Sequence, residues 1–207
     1  ELLVNNLRYI RIDEVEGMLR SMNKSIRGVY NLLENLLSWS RIQTGTIKYL
    51  PQVCDLKVLA DENIELLERF SKEKNIGFVN DIDEYSLCFA DPNMISTVFR
   101  NLMMNAVKYS YPGGIVFITA KDKDQDFYEV EIRDEGIGMS GQRIKVLLED
   151  NPVESTLGTQ DEKGTGLGIK ICREFIALNC GKFSITSEEG IGTSFYFTLS
   201  KKRDNKK

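Results

Sequence analysis

Asn101, Asn105 and Lys108 stand at i, i+4 and i+7 of a stretch, 98–108, whose other positions are mostly apolar: Val98, Phe99, Leu102, Met103, Met104, Ala106 and Val107. On a helix the three form one narrow polar stripe. An ordinary solvated face would explain such a stripe. Two points favour chemistry: asparagine is only a middling helix former, and a carboxamide oxygen ligates Mg2+ without repelling phosphates as a carboxylate would. In 127–134, Glu129, Glu131 and Arg133 alternate with Tyr128, Val130 and Ile132, the period of a half-buried strand. Asp134 then falls on the apolar side. An inward carboxylate is costly unless something donates to it, and the exocyclic amine of adenine is a suitable donor; a cap for the following turn is the plain alternative.

That turn is Asp134-Glu135-Gly136-Ile137-Gly138, whose glycines permit positive φ and close backbone approach to a flat ligand. Downstream, Gly164-Thr165-Gly166-Leu167-Gly168 runs directly into a helix whose first amides can meet phosphate oxygens, or serves as a flexible hinge. Gly190-Ile191-Gly192-Thr193 leads into a last strand, and a plain hairpin accounts for it equally well. Neither a phosphate loop of the G-x-x-x-x-G-K-[ST] type nor a protein-kinase glycine loop ahead of a strand lysine is present, so a nucleotide site here belongs to another architecture.

The elements that must position these residues follow from hydrophobic periodicity. Over 12–44, Val15, Met18, Leu19, Met22, Ile26, Val29, Leu33, Leu36 and Leu37 recur at helical spacing, with Asp13 as the expected N-cap and Gly45 as the expected C-cap. So long a helix with a single apolar stripe suits a bundle or coiled coil and wants a partner. Residues 2–7 read as the stub of that partner, turning through 8–12, and the uncapped opening Glu1-Leu2-Leu3-Val4 as the interior of a longer helix. After Pro51 the pattern becomes α/β: a helix over 56–74, strands over 76–80 and 87–90, a helix over 91–109, strands over 115–121 and 127–134, a loop-rich stretch to Gly168, a helix over 169–179, and strands over 182–187 and 193–199. The expected fold class is α+β, a two-layer α/β sandwich with a mixed sheet and its helices on one face, preceded by an α-helical hairpin fragment. The expected division is 1–50 for the hairpin and 51–207 for the second domain.

With 207 residues, 42% of them hydrophobic and 28% charged, the chain is an ordinary globular one; disorder and disulfide scaffolds are poorly supported. A net charge of -4 argues against a surface built to grip nucleic acid, and the basic tail from Lys201 reads as a solvated end. No stretch approaches the roughly 18 apolar residues of a membrane span. Cys54, Cys88, Cys172 and Cys180 form no C-x-x-C pair, and with no histidine in the chain they make no zinc pattern; reduced cytoplasmic thiols are expected.

In order, Asn101-Leu102-x-x-Asn105-Ala106-x-Lys108-Tyr109-Ser110, Asp134-x-Gly136-x-Gly138, Gly164-Thr165-Gly166-Leu167-Gly168 and Gly190-x-Gly192-Thr193 resemble the N box and the three glycine boxes of sensor histidine kinases, over roughly 52–200. Leu36 to Gly45 resembles the end of that family's dimerisation hairpin. The resemblance implies a Bergerat-type sandwich binding ATP and Mg2+: Asn105 ligates the metal with Asn101 beside it, Lys108 and Tyr109 line the nucleotide pocket, and Asp134 accepts the adenine amine. It further implies that Gly136 and Gly138 allow close approach, that Thr193 supports the adenine-side network, and that Gly164, Gly166, Leu167 and Gly168 anchor a lid over 139–163. The phenylalanine-rich box of such lids is not recognisable, and Leu147 and Leu148 are expected to take its packing role. The implied reaction passes the ATP γ-phosphoryl to a histidine and then to the receiver domain of a response regulator. The phosphoacceptor histidine is absent from this chain, so the fragment would not phosphorylate itself, and a homodimer through the hairpin would be weakened. Two alternatives are another ATPase of the same superfamily and a degenerate ATP-gated interaction module without turnover.

Overall fold

The computed structural model describes residues 12–149, 158–159 and 166–202. The stub expected over 2–7, the turn after it, and Gly164 lie outside them. Helix α1, Ile12–Gln43, has 32 residues and is therefore about 48 Å long. Its end is a Schellman cap: Thr46 N donates to Arg41 O, Gly45 N donates to Ile42 O, and Gly45 takes φ 62°, as the sequence leads one to expect. At the other end the expected cap is corrected. Asp13 lies inside the helix, which already includes Ile12. The apolar stripe is open to solvent, with Met22 51%, Ile26 62% and Val29 59% exposed, while Ile42 in the last turn and Ile47 beyond the cap pack against the core.

Beyond α1 come β1 (Gln52–Asp55), α2 (Leu56–Glu73), β2 (Gly77–Ile82), β3 (Leu87–Ala90), α3 (Pro92–Tyr109), β4 (Ile115–Asp122), β5 (Phe127–Asp134), α4 (Gly141–Leu148), α5 (Gly168–Leu178), β6 (Phe183–Glu188) and β7 (Gly192–Ser200). Five strands form one sheet in the order β2-β4-β5-β7-β6, with β2 parallel to β4 and the other pairs antiparallel. β1 and β3 form a separate antiparallel pair. Alternation sends Val130, Ile132, Phe195, Phe197 and Leu199 to the face that α3 and α5 cover, and Phe99 of α3 meets Phe197 edge-on with ring centres 5.6 Å apart. This is the expected two-layer mixed α/β sandwich.

Three local expectations change. β1 is a strand where none is expected, because four residues with little apolar signal become one only by pairing with β3. β2 begins one residue later and ends two later than 76–80, since its parallel register with β4 continues to Ile82 opposite Ala120. The stretch read as loop contains α4, capped by Ser140, whose Oγ accepts from Arg143 N, and apolar at Ile144, Leu147 and Leu148. Those three, with Met139, pack against the core.

Helix α3 carries the polar stripe and is pinned at both ends. Asp91 Oδ1 accepts from Asn93 N and Met94 N, Asp91 Oδ2 accepts from Leu50 N at 2.9 Å, and Asp91 N donates to the buried Asn179 Oδ1 that closes α5. At the far end the ammonium of buried Lys74 donates to the Val107 and Lys108 carbonyls at 2.9 and 2.6 Å, where a cation also suits the helix dipole. Asp91→Ala removes a cap and leaves Leu50 N–H without its acceptor. It should lower stability by about 2 kcal/mol, read as a shifted urea midpoint at unchanged slope. A shift under about 0.5 kcal/mol would mean that water replaces Asp91 at both places.

Candidate functional site

The polar stripe, the turn after β5 and the turn before β7 meet at one end of the sheet. Asp134 ends β5, opposite Thr193 on one side and Val116 on the other. Asp134 is buried, with 3% of its surface exposed. Oδ1 accepts from Gly136 N at 3.0 Å, and the Thr193 backbone supplies a second hydrogen bond. No cation among the described residues pairs with it. Burial therefore pushes its pKa up to about 6, against the pull of those two backbone hydrogen bonds. A carboxylate held inside without a counter-ion and with lone pairs to spare is an acceptor for a neutral donor.

The glycines around it are set by backbone contact. A Cβ on Gly136 would stand 2.2 Å from Tyr109 O, and one on Gly138, at φ 63°, would stand 1.8 Å from Glu188 O. These approaches stitch three segments together: Ile137 N donates to Tyr109 O at 3.1 Å, Gly190 N donates to Ile137 O at 2.8 Å, and Ser110 bridges to Gly136. Ser187 adds a node that the sequence reading missed. Its hydroxyl accepts from Met139 N and donates to Gly192 O, each at 2.8 Å, and lies 2.9 Å from Thr193 Oγ1. Strand alternation from inward Ile185 was the available signal. An open cleft of about 510 Å3 runs along this strand end, bounded by residues that include Asp134, Ser187, Glu188, Ile191 and Thr193.

On α3 the stripe residues differ among themselves. Asn101 is half-buried, and its Nδ2 donates to Thr97 O. Its Oδ1 faces the start of α5, where a Cβ on Gly168 would lie 3.2 Å away, so the N-terminus of α5 sits against this stripe. Gly166, two residues earlier, has φ 74°, and Leu167 stands at the N-cap without a side-chain capping bond. Asn105 is half-buried, and its carboxamide makes no hydrogen bond among the described residues. Lys108 is turned inward: its ammonium donates to the Tyr109 hydroxyl at 2.9 Å and lies 4.6 Å from the centre of that ring. Thr159 also reaches this corner, donating through Oγ1 to Ser110 O at 2.8 Å. Within hydrogen-bonding range of one another, then, are the N-box end and both of the outer glycine turns. Of the middle turn, Gly168 abuts Asn101.

A purine nucleotide with Mg2+ fits this donor set. The buried acceptor Asp134 and the glycine backbone around it match a flat base bearing an amine. Asn105, with a carboxamide oxygen uncommitted among the described residues, can serve a hard cation.

Comparison with known proteins points to an ATPase family. The family described as histidine kinase-, DNA gyrase B-, and HSP90-like ATPase matches residues 90–203. Sporulation kinase E of Bacillus subtilis (strain 168) is 30% identical over 197 residues, covering 89% of this chain but only 26% of that protein. Full-length ShkA in complex with AMPPNP superposes with a TM-score of 0.73 at 22% identity, over 90% of this chain and 38% of that one. Histidine kinase ThkA in complex with response regulator protein TrrA gives 0.71 at 19% identity, over 99% of this chain and 57% of that one. Because the matched stretch takes in more than half of the residues and includes α3, Asp134 and the glycine turns, the chain belongs to the histidine kinase-, DNA gyrase B-, and HSP90-like ATPases.

Proposed function

We propose that this chain is the ATP-binding catalytic portion of a sensor histidine kinase. The observation that carries the reading most is the buried, unpaired Asp134 carboxylate framed by glycines on β5 and β7. When bound, Mg2+-ATP supplies a γ-phosphoryl group whose charge the metal partly neutralises. Asp134, with Thr193 behind it, accepts the adenine amine and sets the orientation of the base. Gly136 and Gly138 let the backbone approach it. Asn105 ligates Mg2+ through its carboxamide oxygen, with Asn101 beside it. Lys108 and Tyr109 wall the pocket together, and Gly164, Gly166, Leu167 and Gly168 bring the amides at the start of α5 toward the phosphates. Catalysis here consists of positioning and charge compensation.

The acceptor imidazole is not among the 207 residues, which include no histidine. On this reading residues 1–50 belong to a dimerisation hairpin and 51–207 to the nucleotide domain. The open stripe on α1 is a homodimer seam, and the phosphoryl group passes on to the receiver domain of a response regulator in the cytoplasm. No described helix is long and apolar enough to cross a membrane.

Calorimetric titration of the chain with AMPPNP tests the reading. Binding should strengthen on adding Mg2+, and Asn105→Ala should abolish that Mg2+ dependence, a change of about 10-fold or more, while leaving metal-free binding in place. Folded, unaltered protein that gives neither heat nor a thermal shift at millimolar nucleotide would instead be an interaction module without nucleotide chemistry.

A further inference from the structure

Two of the four cysteines, 34 positions apart, stand directly opposite each other: Cys54 of β1 pairs with Cys88 of β3, and their sulfurs are 3.4 Å apart as free thiols. A disulfide needs roughly 2.05 Å between sulfurs and about 4.4–6.8 Å between Cα atoms. Opposed residues of an antiparallel pair have Cα spacings of about 4.5 or 5.5 Å, both inside that window. Closing the bond therefore asks for side-chain rotation rather than backbone movement. From these positions we propose that Cys54 and Cys88 form a reversible disulfide driven by hydrogen peroxide, and that this bond fastens β1, the strand following α1, to β3 within the nucleotide-binding domain.

The two sulfurs are unequal in a way that assigns their parts. Cys54 is half-buried and Cys88 is 1% exposed. The hydrogen bond between the two thiols, in which either sulfur can donate, holds the Cys54 pKa below the ordinary thiol value against burial and the charges of Asp55 and Asp91, and pushes Cys88 well above it. Cys54 is accordingly the thiolate that meets peroxide. Its sulfur attacks one peroxide oxygen, the O–O bond breaks, and the departing hydroxide takes a proton to become water, leaving Cys54 as a sulfenic acid. Cys88 then loses its proton and attacks the Cys54 sulfur. The S–O bond breaks, and the hydroxide leaves with that proton as a second water. Two thiols and one peroxide thus give one disulfide and two waters, the sulfurs losing the two electrons that the peroxide gains. Of the other two cysteines, Cys172 is fully buried with its pKa raised by burial, and Cys180 is exposed.

The placement of the pair sets the consequence. The segment 44–51 joins α1 to β1, and Leu50 N is held by Asp91 Oδ2, the cap of α3. β3 leads straight into that cap. A Cys54–Cys88 bond adds a covalent cross-link to the four-residue ladder between β1 and β3.

The experiment uses the whole chain without nucleotide, so its outcome is separable from that of the kinase reading. After treatment with hydrogen peroxide, non-reducing peptide mapping should recover a Cys54–Cys88 linked peptide that disappears with dithiothreitol. In Cys88→Ala, Cys54 should stop at the sulfenic acid and be trapped by dimedone; in Cys54→Ala, Cys88 should remain a thiol. Tryptic cleavage after Lys48 should slow several-fold in the oxidised protein and not in oxidised Cys54→Ala. Oxidation at Cys180 alone, with Cys54 and Cys88 still alkylated as thiols, would overturn the disulfide. A disulfide that leaves cleavage at Lys48 unchanged would overturn the fastening.

Discussion

Asp134→Asn should weaken nucleotide binding by about 100-fold or more at pH 7.5 while the protein stays folded. The substitution keeps the shape and removes one acceptor. If the amide nitrogen faces the base, two donors oppose each other; if it faces Gly136, the bond from Gly136 N to Oδ1 is lost. A hydrogen bond to a charged group is worth about 1.5–3 kcal/mol, and a donor facing a donor costs more than its absence. The same variant tests why the site is costly. A carboxyl pushed up to about 6 from its ordinary 3.8 is easier to protonate in the folded protein than in the unfolded chain. Its contribution to stability is therefore fully present below pH 3.8 and is lost as pH rises through about 6, by about 3 kcal/mol in all. Asparagine has no such transition. The stability of Asp134→Asn relative to the unaltered chain should thus rise by about 2.4 kcal/mol between pH 4 and pH 7, whatever the constant offset from the new amide. Urea melts at the two pH values read this directly. Parallel profiles would mean that the carboxylate is solvated, and unchanged affinity would remove it from the site.

Gly138→Ala should destabilise the protein by about 2–5 kcal/mol and abolish nucleotide binding, whereas Gly190→Ala should cost only about 1–2 kcal/mol. Both glycines have left-handed backbones, φ 63° and 80°, so each substitution carries the same conformational strain. They differ in space. The added methyl at Gly138 meets Glu188 O at 1.8 Å, a backbone atom of β6 that cannot turn aside, while nothing lies within 4 Å of a Cβ at Gly190. Moving Glu188 also disturbs the Ser187 node and, through it, Thr193 beside Asp134. Denaturant melts and AMPPNP titrations of the two variants give the comparison. Equal losses would show that strain alone governs both turns.

What could be read in advance was what repeats along the chain. The apolar stripe of α1, the alternation that turned Asp134 inward, and the N-box spacing on α3 are periodic signals, and each survives in the structure because helix and strand periods are local properties of the backbone. Gly45 belongs here too, since a left-handed C′ residue is needed wherever a helix closes in a Schellman cap. α4 was legible in principle, from Ser140 and the spacing of Ile144, Leu147 and Leu148, but lay inside a stretch read for its glycines and charges.

The rest depended on partners distant in sequence. Four residues of β1 become a strand because β3 offers them a ladder, and the same pairing is what sets Cys54 against Cys88. Lys74 has no motif; it is buried because the carbonyls that end α3 need a donor there. Ser187 matters because Met139, Gly192 and Thr193 arrive around its hydroxyl. Residue types and periods decided which side chains could do chemistry and which way they face. Only the tertiary structure, by satisfying buried polar groups across elements, decided which of them meet.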